Sequence, residues 1–302
     1  MKTRLFACLL LAMAFVGCNS QTGTTERAVN TAPPSEDVTK NWKLGVALWT
    51  FHTFSFPDAL AKVDSAGLEY IEPNTFHAAG PALKDSLILQ LSPAGLDKIK
   101  ALIGQRGLKV GSVYIAGDST LASWTRQFAI AKQLGARFVT AEPPVHMWDP
   151  IDSLAGAYGV KVAIHEHWKG VSPYWHPDSV LAAIQGHPNF GACADLGHWP
   201  KSGIDPVEAV RKLSGHIIGV HLKDIAAFND PALKDVPVGT GVVDFPAVFK
   251  ELERQRFAGP VYIERDAEDK PSNLPSVIQT VKYYNEQVQQ LQQAKNGAES
   301  AE

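Results

Sequence analysis

Cysteine is scarce in this chain: three among 302 residues, at positions 8, 18 and 193. So few thiols exclude a disulfide framework. Cys193 sits in an apolar stretch, where it reads as a small core residue. An excess of charge is missing too. The formal charge is −3, and Lys2 and Arg4 are the only charged residues of the first 17, so without that leader it is −5. A mildly acidic chain lacks the basic footprint that nucleic acid requires, and no nucleic-acid partner is expected. The apolar run "LFACLLLAMAFVGC" near the start is too short to span a bilayer.

What that run offers instead is an export signal. It follows the basic "MKTR" and ends in small residues. "FVGC" resembles the lipobox of bacterial lipoproteins, which makes 1–17 the signal and Cys18 the acylated first residue. A plain secretory signal with an incidental Cys is the alternative. Residues 18–40 are rich in Ser, Thr, Asn and Pro and read as a flexible tether. The expectation is an exported protein that meets a bacterial membrane through its lipid alone, in the periplasm or at the outer membrane.

From Trp42 a pattern repeats: a short apolar or β-branched run, then a helical segment. "KLGVALWTF", "LEYIEP", "LKVGSVYI", "ARFVTAEP", "VKVAIHEHW", "NFGACADLGHW", "HIIGVHLKD" and "PVYIERD" read as eight strands. Helices follow each of them. In "SPAGLDKIKALIGQRG" Ser92 caps, Pro93 suits the first turn and Gly107 closes. Leu121, Trp124, Phe128 and Ala131 share one face of the third helix. Eight such units in roughly 250 residues predict an α/β chain with a single (β/α)8 TIM barrel over 41–292 and a disordered tail over 293–302. An open doubly wound sheet is the alternative. It is disfavoured because "WTFHTFSF", after strand one, is aromatic rather than a glycine-rich phosphate loop.

In a parallel barrel all strands end on one rim, where active sites sit. Here the ends carry Glu72, Tyr114, Glu142, the run His165-Glu166-His167, Asp195 with His198, His221 with Lys223, and Glu264 with Arg265. Like charges at that density are costly, and a divalent cation relieves them. Glu166, Asp195, His221 and Glu264, from four consecutive strands, are the expected ligands. Mixed oxygen and nitrogen donors suit Mn²⁺, Mg²⁺, Co²⁺ or Zn²⁺. The plain alternative is a set of salt bridges to Lys223 and Arg265, two cations for many acids.

The ordered set "VAIHEHW", "ADLGHW", "VHLKD", "PVGTGVVDF" and "YIERD" resembles the sugar phosphate isomerase/epimerase family with the xylose-isomerase-like barrel. The resemblance covers Trp42 to about residue 290. It implies the same four ligands, with the metal-binding glutamates Glu166 and Glu264 as acid and base and His198 touching substrate. The chain departs from the family at strand five, which reads His-Glu-His where Glu-Asn-His or Glu-Pro is usual.

The expected chemistry is proton abstraction beside a carbonyl, through an enediolate. Return of the proton to the other face gives an epimerase; return to the neighbouring carbon gives an isomerase. Trp168 and Trp199 directly follow site residues and lead the candidates for an aromatic wall, with Trp49, Phe51, Phe54 and Trp175 behind them. Glu142, Lys223, Arg265, Glu72 and Tyr114 complete the expected substrate contacts. Export argues for free sugars or glycosides rather than sugar phosphates, and the glycines of "PVGTGVVDF" are explained as well by turns as by phosphate binding. A 3-keto-glycoside lyase or hydrolase would use the same site to expel the C1 substituent. A non-catalytic sugar-binding lipoprotein and an endonuclease-like barrel are the other classes.

Overall fold

The computed structural model describes residues 37–117 and 120–299. The expected signal, Cys18, the tether as far as residue 36 and the last three residues lie outside the described residues. Strands and helices alternate along the chain. β1 (Lys43–Ala47) leads to α1 (Phe56–Ser65), and β2 (Tyr70–Glu72) to α2 (Pro93–Gln105). The third barrel position is split into β3 (Lys109–Val110) and β4 (Ser112–Tyr114), before α3 (Leu121–Leu134). β5 (Phe138–Ala141) precedes α4 (Trp148–Tyr158), and β6 (Lys161–Ile164) precedes α5 (Pro177–Ile184). β7 (Phe190–Asp195) runs into the one-turn α6 (His198–Lys201) and then α7 (Pro206–Lys212). β8 (Ile217–Leu222) is followed by the small antiparallel pair β9 (Asp224–Ile225) and β10 (Asp235–Val236), then α8 (Phe245–Arg254). β11 (Pro260–Ile263) and α9 (Leu274–Glu299) complete the barrel.

The sheet order is β3-β2-β1-β11-β8-β7-β6-β5-β4, and each strand pair in it is parallel. Tyr114 N donates to Pro73 O at 2.8 Å and Thr75 N to Tyr114 O at 3.0 Å, so β4 rejoins the chain just past β2. This is the expected TIM barrel. Its helices start and stop where the sequence signals stand. Ser92 Oγ accepts from Gly95 N at 3.2 Å, and Gly107 and Gly135 take positive φ at the ends of α2 and α3.

Strand three is interrupted at Gly111, where the barrel interior leaves no room for a side chain. A Cβ there would lie 2.3 Å from the Tyr262 hydroxyl, which projects from the non-adjacent β11. Two apolar zones result. Phe138, Ala163 and Cys193 cluster apart from the main core, and a Cβ on Gly219 of β8 would meet the Phe138 ring of β5 across the interior. The larger zone packs strands against helices and includes Val162, Ile164, Trp124 and Phe128. Truncating Trp124 or Phe128 to Ala should cost about 3–5 kcal/mol. Cys193 is fully buried, as a core cysteine should be.

Both expected boundaries move. The 3₁₀ turn Val38–Asn41 packs on the barrel with Val38 and Thr39 buried, so residues 37–40 are not tether. α9 continues to Glu299, through most of the segment expected to be a disordered tail. Gln293, Ala294 and Lys295 favour continuing a helix that has already started. Gln292 Nε2 ties it to the first turn, donating to Thr39 Oγ1 at 2.7 Å.

Candidate metal centre

Strand alternation decides what reaches the mouth. On β6, Ala163 faces the barrel interior, whereas Val162 and Ile164 belong to the strand–helix core. His165 therefore continues the inward row and Glu166 the outward one. On β7 the same rule carries Cys193 inward and Asp195 after it. His165, Asp195, His221 and Glu264 converge: one donor atom from each lies within 4.8 Å of the others.

The distances describe a tight centre. Asp195 Oδ2 is 3.4 Å from His165 Nε2 and 3.7 Å from His221 Nδ1. His221 Nδ1 is 2.8 Å from Glu264 Oε2. Asp195 is anchored by its other oxygen, which accepts from Gly197 N at 3.0 Å and His198 N at 3.2 Å. Gly197 must lack a side chain, since a Cβ would sit 2.5 Å from the Lys223 stem.

These residues fit a divalent cation. Both ring nitrogens of His165 are buried without a hydrogen-bond partner, and so is Asp195 Oδ2 apart from its ion-pair contacts, the nearest of them Lys223 Nζ at 3.2 Å. Buried polar atoms rarely stay unpaired, and these converge on a shared centre. Two imidazoles and two carboxylates suit Zn²⁺, Mn²⁺ or Co²⁺.

A cation bound here would displace protons from the centre. Burial opposes ionisation of Asp195, but His198 and Lys223 hold its carboxyl well below the usual range. Burial would also lower the His165 pKa, but Asp195 and Glu142 lift it to about 10. Lys223 Nζ stands 3.2 Å from both Asp195 Oδ2 and Glu264 Oε2, and 3.0 Å from Asp266 Oδ2.

Four expectations are corrected here. Glu166 is not in the ligand group. Its Oε1 accepts from Asp195 N at 2.7 Å, its Oε2 has no hydrogen-bond partner, and burial lifts its pKa well above the carboxylate range. Trp199 is fully buried in the core rather than walling the mouth. Arg265 turns aside to Asp235, with Nε 2.7 Å from Oδ2. Glu72 lies beneath the centre: Oε2 is 2.8 Å from His221 Nε2, and Oε1 accepts from Ser112 Oγ and Thr140 Oγ1.

The mouth opens into a cavity of about 470 Å³ lined by Trp49, Phe76, Tyr114, Trp168, His165, His167, Lys201, Lys223, Glu264, Asp266 and residues 231–234. Trp49, Trp168, Tyr114, Lys223 and Glu264 are where the sequence reading put them. Phe51 is fully buried; Phe54 packs on Lys62, and Trp175 lies under Lys169. Phe76, Lys201 and Asp266 were missed. Glu142 borders the mouth, pairing with His167 Nδ1 and accepting from Ser172 Oγ at 2.5 Å. His198 is nearly fully buried, and burial lowers its pKa well below the usual imidazole range. Its Nε2 stands 3.1 Å from Lys223 Nζ, and its ring lies 5.4 Å from Trp168. The glycine loop is occupied internally: Gly239, Gly241 and Val243 all donate backbone N–H groups to Asp224.

Residues 60–293 match the family described as xylose isomerase-like TIM barrel. The chain belongs to that family. An L-ribulose-5-phosphate 3-epimerase of Salmonella paratyphi A is 36% identical over 78 residues, 26% of this chain and 26% of that protein. The chain thus matches about a quarter of that relative's length. The crystal structure of an uncharacterised protein from Parabacteroides distasonis is 33% identical, with a TM-score of 0.65 over 82% of this chain and 99% of that one. A structure of the IOLI protein with a bound zinc atom superposes at a TM-score of 0.69, over 82% of this chain and 98% of that one, with 19% identity. That last likeness is one of fold.

Proposed function

We propose that this chain is a divalent-metal-dependent sugar isomerase or epimerase that works by proton abstraction beside a carbonyl. The observation that carries this reading is the convergence of His165, Asp195, His221 and Glu264 under an aromatic-walled cavity. A cation held by these four would supply Lewis-acid stabilisation of the oxygen charge that develops as the proton leaves.

The chain's own residues do the rest. Glu264 lines the cavity and is the carboxylate base placed to take the proton. His167 lines the same cavity with its Nδ1 held by Glu142, a carboxylate–imidazole pair suited to returning a proton from another side. Trp49, Phe76 and Trp168 offer apolar faces to a sugar ring and exclude water. Lys223, fixed by three carboxylates, places a positive charge beside Glu264.

The corrected place of Glu166 favours a second reading. With that residue turned outward, Glu264 is the one glutamate in the ligand group. A 3-keto-glycoside lyase needs a single base beside the carbonyl and an acid for the departing C1 oxygen, roles that fall to Glu264 and His167. Incubation with free ketoses and with 3-keto-glucosides in D₂O separates the two. Deuterium in recovered sugar supports the first, and release of the aglycone supports the second. Neither outcome with metal-loaded protein would refute both.

We also propose that Cys18 is acylated and that residues 18–36 tether the barrel to a bacterial membrane, where free sugars are met. The supporting feature is the "FVGC" signal pattern. Palmitate labelling of wild type but not of Cys18→Ser is the expected result; equal labelling would overturn it.

A further inference from the structure

Lys201 closes the one-turn helix α6 and is 7% exposed. It lines the cavity, and its ammonium lies 4.1 Å above the Trp168 ring. No carboxylate comes within ion-pair distance of it among the described residues, and it has no hydrogen-bond partner there. Lys223 differs, with Asp195, Glu264 and Asp266 all within 3.2 Å. Asp266 is the acid that acts most strongly on Lys201, yet it already accepts from Lys223 Nζ at 3.0 Å and Trp49 Nε1 at 3.0 Å.

The Lys201 stem is buried while its ammonium reaches the cavity. A partly desolvated cation with no anion beside it is incompletely compensated, and an aromatic face offsets only part of that cost. The missing anion is therefore expected from whatever fills the cavity. Resting on the sugar reading above, we propose that the substrate is an acidic sugar whose carboxylate pairs with Lys201 over the face of Trp168. A carboxylate fits better than a phosphate. The ammonium over Trp168 matches a single negative charge, whereas a phosphate dianion asks for several donors. Of the other lysines lining the cavity, Lys223 is already held by three carboxylates and Lys234 is exposed to solvent. The backbone donors that a glycine loop could have offered are spent on Asp224. Lys201 is thus a specificity-determining residue, distinct from the four ligands.

The test uses the full chain loaded with Mn²⁺ and titrated with D-glucuronate, D-glucose and D-glucose 6-phosphate, followed by tryptophan fluorescence and calorimetry. Glucuronate should bind about tenfold or more tighter than glucose and tighter than the phosphate. Lys201→Met keeps an apolar stem on Trp168 and should bring glucuronate down to the level of glucose, with manganese content unchanged. A preference that survives Lys201→Met would belong to the metal and overturn the proposal. Equal binding of glucuronate and glucose, or tighter binding of the phosphate, would overturn it on the wild type alone while leaving the sugar reading intact. Failure of all three sugars to bind would remove the sugar reading and this inference together.

Discussion

Glu72 and His221 meet at 2.8 Å beneath the candidate metal centre, carboxylate Oε2 against imidazole Nε2. Both are buried, and they come from β2 and β8, strands that do not pair. His221 Nδ1 stands at the same 2.8 Å from Glu264 Oε2, so each ring nitrogen faces a carboxylate. A cation at the centre would take the Nδ1 side and leave the proton on Nε2, toward Glu72. Partners of this kind fix the tautomer of a ligand histidine and sharpen its affinity.

Glu72→Gln should therefore weaken Zn²⁺ or Mn²⁺ binding by about 10–100-fold. Competition with a fluorescent chelator measures it. Unaltered affinity would show that His221 needs no help from below.

His165 and Glu166 should part company on mutation. His165→Ala removes an inward ligand and should lose the ion. Glu166→Gln should retain it, because an amide oxygen can still accept from Asp195 N. Burial raises the pKa of that carboxyl well above the usual carboxylate range, so replacing it by a neutral amide should change stability by only about 1 kcal/mol. Elemental analysis and thermal melts of both variants check this. Loss of metal in Glu166→Gln would restore Glu166 to the ligand set.

Glu264→Gln should slow solvent-deuterium exchange into a bound sugar by about 10²–10⁴-fold. NMR in D₂O reads the rate. Exchange at the wild-type rate would remove Glu264 as the base.

His77 gives a pH dependence remote from chemistry. It is 2% exposed, with Nε2 2.9 Å from Phe54 O, and burial pushes its pKa down to about 4. The unfolded chain takes up that proton near pH 6.5. The contribution to stability is thus full above pH 6.5 and is lost as the pH falls toward 4, amounting to about 3 kcal/mol. Urea midpoints across this range should fall less steeply in His77→Gln than in wild type. Parallel curves would contradict it.

The architecture was legible because eight apolar runs alternate with well-signalled helices, Ser92 and Gly107 among the signals. The rim was legible because polar residues follow each apolar run. Glu166 was misread although its own strand held the answer: counting by twos from buried Ala163 leads to His165. Chemical preference for a glutamate outweighed the period. Trp199 and Arg265 could not be placed from strand ends, because the α6 turn carries the Trp199 ring into the core and Arg265 pairs with Asp235 of β10. Lys201 had no sequence signal, since its burial arises from a helix of one turn.

The central claim is that four side chains jointly grip one dication. The most direct measurement is equilibrium dialysis of the full chain against Zn²⁺ or Mn²⁺, followed by elemental analysis, for wild type and Asp195→Asn. One ion per chain in wild type and its loss in Asp195→Asn is the predicted result. A wild type that retains no ion, or an Asp195→Asn protein that binds it equally well, would contradict the account.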